Sequence, residues 1–207
     1  MMLIFQVYKE LLKYYGYQNW WPVHEGQNRI VEVSVGAVLT QNTSWSNVEK
    51  SLENLISANC LNFECLVDID LEVLKNLIKP SGFYNQKAKT LKELSKLFLS
   101  KENIEREDLL AVKGIGKETA DSILLYALDK PYFVTDSYTK RLFYRMGFIK
   151  EKISYDELQS FITESIPKDI DIYKEFHALI VKYCKELCTK KPKCGGCFLS
   201  CNFKKVV

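Results

Sequence analysis

Leu109-Leu110-Ala111-Val112-Lys113-Gly114-Ile115-Gly116-Lys117-Glu118-Thr119-Ala120 is the stretch that decides the fold. One helical pattern ends, a Gly-Ile-Gly turn follows, and Ile123, Leu124 and Ala127 resume helical spacing. Glycines at 114 and 116 allow positive φ and a close backbone approach. Free N–H groups at the start of the second helix suit a phosphate. Ile115 is expected to anchor the turn in the core, and Lys113 and Lys117 add charge. A lone Gly-x-Gly turn is better read as a plain helix end with glycine just past it.

The next segment narrows the choice. Pro131-Tyr132-Phe133-Val134-Thr135-Asp136-Ser137-Tyr138 places an aspartate after an apolar run and before a new helix. An N-cap is the simplest role for such a residue. Apolar residues recur at helical spacing through most of the chain: Leu3, Val7, Leu11 and Tyr14; Ile30, Val33, Ala37 and Val38; Val48, Leu52, Leu55 and Ile56 after Ser44; Leu91, Leu94, Phe98 and Leu99; Tyr173, Phe176, Ile180 and Val181. Breakers separate them at Trp21-Pro22, Pro80-Ser81-Gly82, Lys130-Pro131 and Ile166-Pro167. No sustained β alternation occurs. The expected fold is all-α, with nine or ten short helices.

The chain has 207 residues, 47% apolar and 27% charged, with a net charge of +3. No run approaches a membrane span, and the apolar start reaches Lys9 and Glu10 too soon for a signal-peptide core. An intracellular protein with no membrane partner is expected. From Lys182 onward seven lysines face a single acid, Glu186. That surface suits a polyanion, or is a solvated tail. Seven cysteines in such a compartment are expected to stay out of disulfides. Cys60, Cys65 and Cys184 are scattered, whereas Cys188, Cys194, Cys197 and Cys201 crowd a short polar tail and suggest a metal or cluster.

Together, the hairpin and Asp136 at this separation resemble the helix–hairpin–helix DNA glycosylase superfamily of the endonuclease III type. The resemblance implies a hairpin that grips phosphates through Lys113, Gly114, Gly116 and Lys117. It makes Asp136 catalytic, at the mouth of a base pocket. Val35-Gly36-Ala37-Val38-Leu39-Thr40-Gln41-Asn42 resembles the family helix whose glutamine fills the gap left by an extruded base, which falls on Gln41. Pro80-Ser81-Gly82-Phe83-Tyr84-Asn85-Gln86-Lys87-Ala88 resembles the loop whose apolar residue wedges into the duplex, which falls on Phe83. A capping amide and a core aromatic are the alternatives for these two.

Bifunctional relatives carry a Schiff-base lysine one residue before the Thr-Ala of the hairpin helix. Here that residue is Glu118, and Lys117 is displaced by about 100° of helix. The resemblance therefore implies hydrolysis by water without strand cleavage. Trp20-Trp21-Pro22 and Thr43-Ser44-Trp45 hold all three tryptophans and resemble the 3-methyladenine glycosylase branch. A cationic methylated purine is attracted to aromatic faces. Core or interface packing is the other reading of Trp20, Trp21 and Trp45.

Cys188-x5-Cys194-x2-Cys197-x3-Cys201 resembles the superfamily's [4Fe-4S] loop, with a last spacing of three where five is common. Cys184 could substitute for Cys201, and four thiolates also fit zinc. His24 and His177 are read as structural. Residues 30–132 are expected to form a helical bundle carrying the hairpin. Residues 1–29 and 133–207 form a second lobe, with the pocket between them. The implied partner is double-stranded DNA with a damaged base, bound by a monomer in the cytoplasm at the nucleoid. Rival readings are an endonuclease III-like enzyme for mismatched or oxidised pyrimidines, and a DNA-binding module without chemistry.

Overall fold

The computed structural model describes residues 3–199, and every regular element among them is helical. The helices are α1 Ile4–Tyr15, α2 Arg29–Leu39, α3 Trp45–Ser57, α4 Phe63–Asp68, α5 Leu71–Leu77, α6 Tyr84–Ser100, α7 Arg106–Ala111, α8 Lys117–Tyr126, α9 Ser137–Met146, α10 Tyr155–Thr163 and α11 Ile170–Glu186. The all-α expectation holds. The helix number exceeds the expected nine or ten because α4 and α5 are too short for periodicity to register. Each is set by its cap: the Asn62 side chain accepts from Cys65 N, and Asp70 accepts from Glu72 N and Val73 N.

The chain divides into two compact units, one from Trp21 to Asp129 and one joining the residues up to Trp20 with those from Lys130 on. In the first, α2 is buried continuously from Val31 to Leu39, the mark of a central helix. α3, α6 and α8 pack on it, and α4 and α5 pack on α6. Arg106 clamps α7 to α8 by donating from Nε and Nη2 to the two oxygens of the fully buried Asp121, at 2.6 and 3.0 Å. Such a bidentate pair fixes geometry as well as charge.

Cys60 and Cys65 form a disulfide in this unit, against the expectation that no cysteine would. Asn59, in the left-handed conformation, reverses the chain after α3. The capped start of α4 then returns Cys65 to within 5.1 Å, Cα to Cα, of Cys60. That lies within the range a disulfide spans.

In the second unit α1 and α9 pack against α11. Phe176 is fully buried and meets Tyr8, Phe133 and Phe143 at ring separations of 5.5, 5.7 and 6.4 Å. The inward stripe of α1 is Ile4, Val7, Tyr8 and Leu11, not the expected face ending in Leu3 and Tyr14. Leu3 is the exposed N-cap, and Tyr14 stacks on Phe198 at 4.0 Å instead of entering the core. Among the described residues no helix is long and apolar enough to cross a membrane.

Candidate active site and nucleic-acid interface

The hairpin between α7 and α8 is built as its sequence suggests, with one correction. Gly114 has φ +97°, and a Cβ there would sit 2.4 Å from Thr90 Oγ1. Thr90 Oγ1 donates to Lys113 O at 2.9 Å, which fastens the turn to α6. Gly116 does not use positive φ: as N-cap of α8 it is extended, at φ −96° and ψ 177°. A Cβ at Gly116 would meet no protein atom, so its bareness faces outward, where a ligand backbone can approach. Ile115 is buried as expected, and Lys113 and Lys117 are exposed.

Gln41 and Phe83 converge on this turn. Gln41 Nε2 donates to Gly114 O at 3.0 Å and to Thr119 Oγ1 at 2.9 Å, so its amide binds the hairpin instead of capping its own helix. Phe83 is 64% exposed and left-handed at φ 47°, which sets aside a core role. Gln41, Phe83 and Gly114 line one pocket of about 170 Å³. Beneath them, buried Lys87 donates from Nζ to Leu39 O at 2.8 Å and to Ser81 O at 2.7 Å. Burial pushes its ammonium down to about 8. An adjoining cleft carries Lys89, Lys92 and Lys113 against Glu93, a balance that suits a polyanion.

The same unit holds two of the tryptophans. Trp21 meets Trp45 edge to face at 5.4 Å and Tyr126 at 5.6 Å. Gly36 makes room, since a Cβ there would lie 3.1 Å from Trp21 Cζ2. Trp45 Nε1 donates to Glu49 at 2.8 Å. After Trp21-Pro22 the chain is pinned by the fully buried Glu32, which accepts from His24 N at 3.0 Å and lies 2.6 Å from His24 Nδ1.

Trp20 belongs to the other unit, where its ring lies 5.8 Å from that of His177. It lines a cavity of about 240 Å³ with Gln18, Ala178, Val181 and Lys182. Glu175, one turn along α11 from that surface, accepts from Gln18 N and, at 3.3 Å, from Asn19 N. Burial raises the Glu175 carboxyl, and the two N–H donors oppose that rise.

Asp136 is the N-cap of α9 and is 9% exposed. Oδ1 accepts from Thr139 N at 2.8 Å and from Thr139 Oγ1 at 2.9 Å. Oδ2 instead faces His177 Nε2 at 3.6 Å, an ion-pair separation longer than a hydrogen bond. Burial alone would push the carboxyl up; the field of His177 and the Thr139 donors outweigh it and hold it below the ordinary value. Asp136 is thus a buried, charged carboxylate with one oxygen committed to the helix. Such an arrangement stabilises a cation developing beside the other oxygen. Sequence reading set His177 aside as structural and missed Thr139. Thr139 was findable as the third residue past an N-cap; His177 lies on a distant helix and carries no local signal.

The cysteine tail is described up to Leu199, so Cys201 lies outside the described residues. Cys188, Cys194 and Cys197 line one narrow cleft with Arg145 and Tyr183. Arg145 Nη1 approaches Cys188 Sγ at 3.3 Å, and Tyr183 Oη lies 2.8 Å from Cys197 Sγ. The neighbouring Cys184 thiol, with Arg145 beside it, brings the Cys188 thiol down to about 6 against the effect of burial. Among the described residues no three metal-binding side chains converge on one point. The donor set is nonetheless soft, and Cys188 favours the thiolate that a metal requires.

Residues 35–168 match the profile of the HhH-GPD superfamily base excision DNA repair proteins. A Methanocaldococcus jannaschii protein classed by name as a DNA repair glycosylase is 49% identical, over 94% of this chain and 93% of its own. Endonuclease III of Thermotoga maritima is 29% identical, over 83% of this chain and 82% of its own. The crystal structure of H. pylori 3-methyladenine DNA glycosylase bound to 1,N6-ethenoadenine is similar with a TM-score of 0.76 and 36% identity, covering 88% of this chain and 97% of that one. An endonuclease III–DNA complex shares the fold at a TM-score of 0.86 and 22% identity, covering 100% and 98%. The chain belongs to the HhH-GPD superfamily and is a DNA glycosylase of base excision repair.

Proposed function

We propose that the chain is a monofunctional glycosylase for alkylated, cationic purines of the 3-methyladenine kind. The observation that carries this is the edge-to-face pair of Trp21 and Trp45 with Tyr126 beside it, packed where Gly36 lacks a side chain. Aromatic walls stabilise a desolvated cation more than a neutral base. Similarity to the H. pylori 3-methyladenine enzyme supports the same substrate class. Trp20 adds an aromatic wall in its own unit.

In this reading Asp136 stabilises the sugar cation, or orients the water, through Oδ2. Glu118 stands where a lyase needs an amine, so water cleaves the glycosidic bond and the strand stays intact. Lys113, Gly114, Gly116 and Lys117 hold phosphate. Gln41 fills the vacated stack and Phe83 wedges the opposite strand, actions that lower the cost of extruding a base. Cys188, Cys194, Cys197 and Cys201 would hold a [4Fe-4S] cluster that cross-links the tail. A panel of duplexes, each with one lesion, tests the substrate class. Release of 3-methyladenine but not of uracil or thymine glycol supports it, and the reverse pattern overturns it.

A further inference from the structure

Gln41 and Phe83 sit on separate elements, the end of α2 and the turn before α6, yet must enter a duplex at a fixed separation. One side chain touches both supports. Lys87 Nζ donates to Leu39 O, two residues before Gln41, and to Ser81 O, two residues before Phe83. The side chain is only 3% exposed, so this is an internal tie and not a surface contact. We propose that Lys87 is a positioning residue for duplex opening: its buried ammonium sets the spacing of the gap-filling and wedging side chains, so that they enter the two strands together.

Two further features support this. The pocket that Lys87 lines holds Gln41, Asn42, Phe83, Gln86, Thr90 and Gly114, none of which ionises. The charged groups Lys89, Lys92, Glu93 and Lys113 line the adjoining cleft instead. Burial is the sole influence that moves the Lys87 ammonium from its ordinary value. A bare cation in such a place is costly unless carbonyls hold it, and those carbonyls belong to the two supports. Phe83 is itself in a strained left-handed conformation, which persists only where the surroundings over-determine it.

The proposal rests on the reading of Gln41 as gap filler and Phe83 as wedge, and the test separates the two. Single-turnover excision is measured on a lesion paired with a normal base and on the same lesion opposite an abasic site, where little opening is needed. Lys87→Met should slow the paired substrate roughly ten- to a hundredfold, the scale of an ångström of misplacement, and the unpaired one far less. Equal loss on both, or loss on neither, overturns the proposal. Phe83→Ala is run beside it: if that variant opens paired duplex as well as the parent, the wedge reading fails and Lys87 falls with it. Should Lys87→Met not fold, the parent protein answers. Raising the pH from about 7 to about 9 carries Lys87 through its value of about 8. The ratio of paired to unpaired rates should then fall, and a constant ratio overturns the proposal.

Discussion

Asp136 Oδ2 and His177 Nε2 face each other across 3.6 Å, while the other oxygen of Asp136 is held by Thr139. The carboxylate therefore has one oxygen committed to the helix and one turned toward His177. Asp136→Asn keeps the shape and removes the charge. Base release should fall by ~10²–10³-fold, the scale of losing one preorganised electrostatic group. DNA binding should stay within a few-fold of the parent, measured by single-turnover excision beside a gel-shift titration. Excision near the parent rate would remove Asp136 from the mechanism.

The same geometry sets an acid dependence. Asp136 has a folded value below its ordinary 3.8, so the unfolded chain binds its proton first as pH falls. Its contribution to stability is full above the unfolded value and is lost as pH falls through the folded one. Urea midpoints measured from about pH 5 downward should drop more steeply for the parent than for Asp136→Asn. Parallel curves would mean that the His177 and Thr139 contacts do not hold the carboxylate.

Lys87 gives the same sign at the other end of the scale. Its folded value of about 8 lies below the ordinary 10.5, so between those values the unfolded chain holds more protons. Stability should therefore rise with pH across that window, and the rise should be smaller in Lys87→Met. Denaturant titrations at several alkaline pH values read this directly. An identical slope in the variant refutes a depressed Lys87.

No Schiff base should form on an alkylated duplex. Borohydride added during turnover should trap no protein–DNA adduct, because in the proposed reading Glu118 takes the place of the attacking amine. Efficient trapping would place another lysine, Lys117 foremost, at the sugar.

Trp21→Leu and Trp45→Leu should each slow release of 3-methyladenine by roughly thirtyfold, from ~2 kcal/mol of cation–aromatic attraction. Neutral hypoxanthine should suffer less. Melting is followed in parallel, since Trp21 packs on Tyr126 and Gly36 and its loss also loosens α2. Equal loss of both substrates by folded variants would remove the cation-selective role.

The purified protein should be brown, with iron bound by cysteine. Cys194→Ser and Cys197→Ser should lose the colour, and stoichiometric zinc without iron would replace the cluster by a zinc site. Colour that survives Cys201→Ser but not Cys184→Ser would exchange those two as ligands.

What the sequence disclosed was local. The hairpin, the N-cap at Asp136 and the start of α3 after Ser44 were legible because a turn, a cap and a helical stripe are written within a few residues. Gly116 was over-read: its composition allowed positive φ, but its place as an N-cap made extended backbone sufficient. The partners of Asp136 and Lys87 were not legible, because His177, Leu39 and Ser81 reach them only through the fold. The disulfide was missed for a different reason. The turn at Asn59 and the cap at Asn62 bring Cys60 and Cys65 together whatever the compartment.

Phe83 extends its ring into solvent from a left-handed backbone before any DNA arrives. In the proposed wedge, strain and exposure already belong to the resting fold, so contact with a duplex requires no loop to be ordered first. In that reading the ring can test base-pair steps as the protein slides along the phosphates. On the same reading intact stacks turn the ring away at each step, and weakened ones admit it. Lesion search, so read, is a succession of brief mechanical trials, in which discrimination begins before any base has reached the proposed catalytic carboxylate.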